Sequence, residues 1–155
     1  NFFPILNAFK ELLVENENIR MAVTIPDTYT HEINSVSAIN EFVNNSIINY
    51  GWVENEKVYS ILSSSKVAIF TSKLESHGLP LLESAFCKAT LLAPDVDFVS
   101  EIVENYIAFT LDDVEDIKCK LRESLNPNLL SSNIKITNKI TEFVHIVLNR
   151  HIKNE

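Results

Sequence analysis

Short, continuous apolar runs alternate along this chain with segments whose apolar residues recur at the three- and four-residue spacing of a helix. Five apolar runs predict β-strands: 19–25, 46–53, 66–72, 90–95 and 106–111. The segments at helical spacing predict α-helices: 1–13, 31–45, 53–65, 79–88, 99–105, 114–125 and a last one from about 132 to 150. Strands that are apolar at every position are typical of a parallel sheet buried on both faces. The alternation therefore predicts the α/β class and a Rossmann-like, doubly wound parallel sheet.

The length of 155 residues favours one compact domain. A helical pattern begins at once at Asn1, with no initiator Met, whereas an α/β domain usually places a strand first. We therefore expect the sequence to be a piece of a longer protein that begins just after a first strand. Residues 1–155 would form one domain, and 129–150 would provide its C-terminal helix.

Composition excludes some classes of function. The chain has 13 Lys and Arg against 21 Asp and Glu, a formal net charge of −8 at pH 7. This balance argues against a nucleic-acid partner, because neutralising phosphates needs clustered Lys and Arg. Cys87 and Cys119 form no CxxC motif and have no His at metal-ligand spacing, so we interpret them as reduced thiols of a cytoplasmic protein. No apolar run approaches the roughly 20 residues of a membrane helix, and no signal peptide is visible.

The stretch ESHGLPLLE, after the predicted strand 66–72, carries the candidate chemistry. It places Glu75 and Glu83 on either side of Gly78 and of a helix whose first turn holds Pro80. The N–H groups of a helix N-terminus bind phosphate, and carboxylates accept hydrogen bonds from hydroxyls. Doubly wound domains bind ligands beyond the carboxyl ends of their strands. The two glycines of the chain, Gly51 and Gly78, both fall at such ends, which predicts a phosphorylated, hydroxyl-rich ligand there.

The same residues resemble a known family. The run KVAIFTS followed by KLESHGLPLLESAFCKATLLAPDVDFVSEIV (66–103) resembles the C-terminal domain of retaining GT-B glycosyltransferases of the family 4 type. The resemblance depends on two Glu, Glu75 and Glu83, which are separated by seven residues that include Gly78-Leu79. Upstream, NYGWVENEKVYSILSSSKVAIF (49–70) is similar to the family's succession of a glycine, a helix with a Tyr and a strand. The resemblance covers about residues 1–125 and implies one half of a two-domain GT-B enzyme.

The resemblance implies a role for each part of the central stretch. Glu83 would hold the two ribose hydroxyls of a nucleotide, most often uridine. Glu75 would contact the hydroxyls of the donor sugar and is the candidate catalytic residue. The backbone N–H groups of Gly78 and Leu79 would bind the β-phosphate. An ionised carboxylate suits a diol, because charge-assisted hydrogen bonds are about twice as strong as neutral ones.

Four further residues belong to the candidate donor site with alternatives left open. The resemblance places Gly51 and Trp52 beside the base, although Trp52 could equally be a core residue. His77 stands where the family usually has Phe, and it either fills that position or acts as an acid or base. Lys73 is a candidate phosphate ligand, whereas a charged residue on a strand-to-helix loop is more often solvated.

The activity that the resemblance implies is transfer, with retained anomeric configuration, from a nucleotide sugar to a saccharide or lipid-linked acceptor. A UDP-hexose or UDP-N-acetylhexosamine is the expected donor, in bacterial surface polysaccharide (O-antigen or capsule) synthesis. No cofactor and no metal is expected, since the resemblance implies that cationic side chains and a helix dipole neutralise the diphosphate. The family's diphosphate-binding Arg and Lys would precede Asn1, and the acceptor would bind through an N-terminal domain. We expect this piece alone to bind nucleotide weakly without turnover, and the full-length protein to associate peripherally with the inner face of the plasma membrane.

Two alternatives to the transferase stay open on the sequence. One is a non-catalytic, flavodoxin-like α/β domain for interaction or signalling. A phospho-acceptor domain of that kind would need clustered Asp residues at the carboxyl ends of its first and third strands. Those ends hold Pro26-Asp27 and Ser72-Lys73, or Gly51 if the strands are counted differently, so no such cluster is evident. The other is a nucleotide-sugar epimerase of the same two-domain fold, whose distinguishing carboxylates and His would lie in its N-terminal half.

Overall fold

A computed structural model describes residues 2–15, 18–26, 46–75 and 77–135. The helices are α1 (Phe2–Val14), α2 (Asn55–Ser64), α3 (Leu79–Phe86), α4 (Asp97–Ile102) and α5 (Val114–Ser124). The strands are β1 (Met21–Val23), β2 (Ile47–Asn49), β3 (Val67–Ile69), β4 (Thr90–Pro94), β5 (Val103–Glu104), β6 (Ile107–Phe109) and β7 (Asn133–Ile134). No helix among these residues has the length and apolarity to span a bilayer.

Parallel pairing dominates the sheets, which confirms the α/β, Rossmann-like prediction. β3, β4 and β6 form one parallel sheet in the order β3-β4-β6, and β1 pairs in parallel with β2. β5 and β7 form a two-residue antiparallel pair, which the sequence pattern did not predict. Each predicted strand within the described residues is present, and each is shorter than the apolar run that predicted it.

The strand β4 explains why its sequence is apolar throughout. Leu91 and Ala93 belong to a core cluster with α3 and α4, whereas Leu92 belongs to a second cluster with α1 and α5. Successive side chains of a strand point to opposite faces, so helices cover both faces of this sheet. All five residues of β4 are buried, and full burial of a leucine contributes roughly 2 kcal/mol.

A groove of about 860 Å³ separates β1 from β3. Both strands line it over their whole length, with α1 on one side and α2 and α3 on the other. Among the described residues, β1 pairs with β2 alone and β3 with β4 alone, so each presents an open edge to the groove. Its walls are largely apolar, with Ile5, Phe9 and Leu12 from α1 and Val58 and Ile61 from α2.

The prediction of a C-terminal helix over 129–150 is wrong at its start. Residues 129–135 are not helical, and Asn133–Ile134 is the strand β7. Ser132 holds this segment in place: its N–H donates to Ala89, and its Oγ accepts from the N–H of Leu91 and donates to the carbonyl of Asn105. These bonds satisfy buried polar groups, which outweighs the weak helical spacing of the sequence. The rest of that helix, and the predicted helix 31–45, lie outside the described residues.

Candidate functional site

The helix α3 begins at a glycine that the local backbone and packing favour. Gly78 is its N-cap, with φ of 61°, and a Cβ added there would lie 2.3 Å from Cδ1 of Ile102. Left-handed backbone favours glycine, and a side chain here would force the end of the Ile102 side chain to shift. The Gly78 carbonyl accepts the N–H groups of Leu81 and Leu82, and Pro80 in the first turn suits a position where no N–H is needed. The N-cap residue, being a glycine, makes no side-chain capping bond to this helix.

Glu83 lies inside the same helix, half-buried, and Tyr59 of α2 contacts it. The Tyr59 hydroxyl donates to Oε1 of Glu83 at 3.3 Å. Burial raises the pKa of the Glu83 carboxyl, and the Tyr59 hydrogen bond opposes that shift because it stabilises the ionised form. Burial, together with the charge of Glu83, raises the pKa of Tyr59 to about 12, so the phenol keeps its proton at physiological pH.

Glu83 lines the groove between β1 and β3 near the carboxyl ends of these strands. Thr24 and Ile25, which follow β1, and Thr71, which follows β3, line the groove with it. Pro80 of the first turn of α3 also lines it. The start of α3 and the Glu83 carboxylate therefore share the edge of the fold at which doubly wound domains bind their ligands.

A side-chain clamp fixes the turn that contains the second glycine. Asn49 at the end of β2 accepts the N–H groups of Ile25 and Gly51 through Oδ1, at 3.1 and 3.0 Å, and its amide donates to the Ile25 carbonyl at 3.0 Å. Gly51 has φ of 64°, again the left-handed region. The clamp ties the end of β2 to the end of β1, and Trp52 follows with 79% of its surface exposed. Trp52 is therefore not a core residue, in contrast to one of the two sequence interpretations.

The loop between β3 and α3 carries the remaining candidates. Lys73 is exposed and forms an ion pair with Asp112, with 2.7 Å between Nζ and Oδ2. Asp112 follows β6, so this pair joins the loops after two strands of one sheet. Glu75 is half-buried, and His77 is exposed beside Gly78. Leu79, whose N–H opens the helix, has 53% of its surface exposed.

Sequence reasoning missed three residues of this edge: Tyr59, Asn49 and Asp112. Tyr59 belongs to the run 49–70 that is similar to the family, but nothing in that sequence indicates that it contacts Glu83, 24 residues later. Asn49 ends an apolar run, and no feature of the sequence marks it as a residue that ties two strands together. Asp112 lies 39 residues from Lys73, in a loop with no feature that marks a partner. The contacts of Tyr59 with Glu83, of Asn49 with Ile25 and of Asp112 with Lys73 form only because the fold brings distant residues together.

Comparison with known proteins assigns the family. The chain matches the family model described as glycosyl transferases group 1 over residues 1–140. A search among curated proteins found no match. The matched part contains β3, the glycine turn, α3 and both carboxylates, and the parallel α/β architecture agrees with the GT-B fold. The chain belongs to the group 1 glycosyltransferase family.

Proposed function

We propose that this chain is the donor-binding C-terminal domain of a retaining, family 4-type glycosyltransferase that uses a UDP-hexose or UDP-N-acetylhexosamine. One observation carries the proposal: a half-buried carboxylate, Glu83, held by Tyr59, lines the groove beside a helix that begins at Gly78. A carboxylate and a helix N-terminus side by side suit a ligand with a diol next to a phosphate. The family match favours this transferase over the non-catalytic α/β domain and over the epimerase.

Each part of the donor has a proposed ligand at this edge. Glu83 accepts the ribose hydroxyls, and the N–H groups of Gly78 and Leu79 bind the β-phosphate. Glu75 contacts the donor sugar as the catalytic residue. Gly78 at the N-cap of α3 has no side chain that could occupy these N–H groups, which supports the phosphate assignment.

The base and the sugar surroundings complete the proposed site. The turn of Gly51, held by Asn49, approaches the base, and the exposed ring of Trp52 packs beside it. His77 takes the place of the family's Phe beside the donor sugar. Lys73 either contacts the diphosphate or serves only as the partner of Asp112.

The leaving diphosphate needs a cation, which we assign by resemblance to an Arg and a Lys that would precede Asn1. Transfer would then need no metal and no cofactor. The acceptor, a saccharide or a lipid-linked saccharide, would bind through an N-terminal domain at the inner face of the plasma membrane. Surface polysaccharide synthesis, of O-antigen or capsule, is the proposed pathway.

The groove supports the expected first strand of this domain. Open edges of β1 and β3 face it, and apolar helices cover both of its sides. A strand placed there would pair on both edges and would need apolar residues at every position. A strand that leads through α1 into the parallel strand β1 also lies beside β1 in a right-handed βαβ unit.

Titration of UDP into isotope-labelled protein, followed by NMR, tests the donor site. We expect chemical-shift changes at the amides of Gly78, Leu79 and Gly51, and a loss of affinity of about 10- to 100-fold in Glu83→Ala, because a hydrogen bond to a charged group contributes about 1.5–3 kcal/mol. Glu104→Ala, at an exposed carboxylate of β5, is the matched control and should bind as the wild type does. Equal affinity of the Glu83 variant and the wild type would contradict the ribose assignment.

A further inference from the structure

We propose that Tyr59 is a positioning residue for donor binding: its hydroxyl fixes the Glu83 carboxylate in the orientation that receives the ribose. The inference rests on the proposed function of Glu83. It adds a residue of α2, outside the strand–glycine–helix stretch, to the machinery of the site.

The geometry that supports this role is the hydrogen bond between two helices. Tyr59 Oη lies 3.3 Å from Glu83 Oε1, and the two residues are 24 positions apart in the chain. The Tyr59 ring packs against the core cluster of β3, β4 and α3, so the position of its hydroxyl is set by the core. A glutamate has three side-chain torsions, and a fixed donor on one oxygen reduces the rotamers that the carboxylate samples before a ligand arrives.

The protonation states agree with a one-way hydrogen bond. The raised pKa of Tyr59, about 12, keeps it a donor, and Glu83 accepts in its ionised form. Burial raises the pKa of Glu83, and the bond from Tyr59 lowers it. Within the part of the chain that the structure describes, the other groups that act on this pair are Cys87 of the α3 C-cap and Glu56 of α2, which both raise the pKa of Tyr59. Without the Tyr59 hydroxyl, Glu83 would keep its proton up to a higher pH.

The pH profile of binding separates positioning from a merely structural role. An ionised Glu83 accepts two ribose hydroxyls, whereas a protonated one donates its only proton and loses acceptor capacity. Affinity should therefore fall as the pH drops through the pKa of Glu83, and Tyr59→Phe should move that midpoint upward. Well above the midpoint, Tyr59→Phe should weaken binding about threefold to tenfold, as expected for a neutral hydrogen bond of about 1 kcal/mol.

The experiment is an NMR titration of UDP into wild type, Tyr59→Phe and Tyr106→Phe between pH 4 and pH 8. Tyr106 packs against the same core cluster and burial raises its pKa too, so its variant is the matched control and should bind as the wild type does. Titration of UDP itself is common to all three proteins and cancels in the comparison. The pH dependence of the carboxyl ¹³C shift of Glu83, measured without ligand, reports the pKa of this group directly. That pKa should be higher than in the wild type in Tyr59→Phe alone.

The outcomes separate this inference from the proposed function. If Glu83→Ala loses affinity while Tyr59→Phe matches the wild type in affinity and midpoint, the positioning role is overturned and the donor site stands. If the wild type does not bind UDP, both fail. If Tyr106→Phe weakens binding as much as Tyr59→Phe does, the effect arises from general loosening of the core, and the positioning role is again overturned.

Discussion

Gly78 and Ile102 pack so closely that the Cδ1 atom of Ile102 lies 2.3 Å from the position that a Cβ of residue 78 would take. The contact joins the N-cap of α3 to the last residue of α4. The start of the helix proposed to bind phosphate is therefore shaped by a side chain 24 residues further along the chain.

Gly78→Ala should lower the free energy of unfolding by about 2–4 kcal/mol, since it adds both left-handed backbone strain and overpacking. Urea denaturation measures the change. Ile102→Val removes Cδ1 alone, so the double variant should be less destabilised than the sum of the two single variants. Strict additivity would show that the steric contact contributes nothing.

Glu83 should make stability depend on pH. Burial raises the pKa of Glu83 in the folded state above its value in the unfolded state. The contribution of Glu83 to stability is therefore fully present below the pKa of the unfolded state. It is lost as the pH rises through the pKa of the folded state. Glu83→Gln removes this titration. The variant should therefore gain stability relative to the wild type between pH 4 and pH 7, measured as the midpoint of urea denaturation.

Glu104→Gln is the control for the preceding prediction, because Glu104 is exposed. Its stability should follow that of the wild type across the same pH range. A constant difference between Glu83→Gln and the wild type would mean that burial does not perturb this carboxyl.

Lys73 and Asp112 offer a test of what Lys73 does. Both side chains are more than half exposed, so either alanine variant should change the free energy of unfolding by less than about 1 kcal/mol. If Lys73 contacts the diphosphate, Lys73→Ala weakens UDP binding, and Asp112→Ala leaves it unchanged or strengthens it. Equal weakening in both variants would mean that the ion pair acts by ordering the loop.

The groove between β1 and β3 should accept one parallel, apolar strand. We expect an N-terminal extension of about five apolar residues, joined to Asn1 by a short polar loop, to raise the melting temperature and to slow amide exchange in both strands. The matched control carries a proline at the centre of the extension, which removes a ladder hydrogen bond. Equal melting temperatures for the two extended chains would contradict strand pairing in the groove.

Local signals predicted much of this fold. The run Thr90–Pro94 is apolar because helices cover both faces of β4, and that burial is visible in composition alone. Gly78 and Pro80 predict the start of α3, since glycine tolerates a positive φ at the N-cap and proline needs no N–H partner in the first turn. The turn at Gly51 was readable for the same reason.

The features that the sequence does not predict depend on contacts between distant residues. The strand β7 has two residues in a polar segment, and hydrogen bonds of Ser132 to residues around β4 and β6 decide its structure. The partners of Glu83 and Lys73 are 24 and 39 residues away. Neither partner leaves a mark on the local pattern, because the fold alone brings these side chains together.

Ser132 also determines where β7 begins relative to the sheet. It bonds to the N–H of Leu91 and to the carbonyl of Asn105, at the ends where β4 and β6 begin, whereas Glu83 and Gly78 lie where strands end. From there β7 runs back toward that edge, because the N–H of Lys135 donates to the carbonyl of Ile102 at 2.9 Å and the side chain of Ile102 packs on Gly78. A label attached at Lys135 would accordingly start near the N-cap of α3.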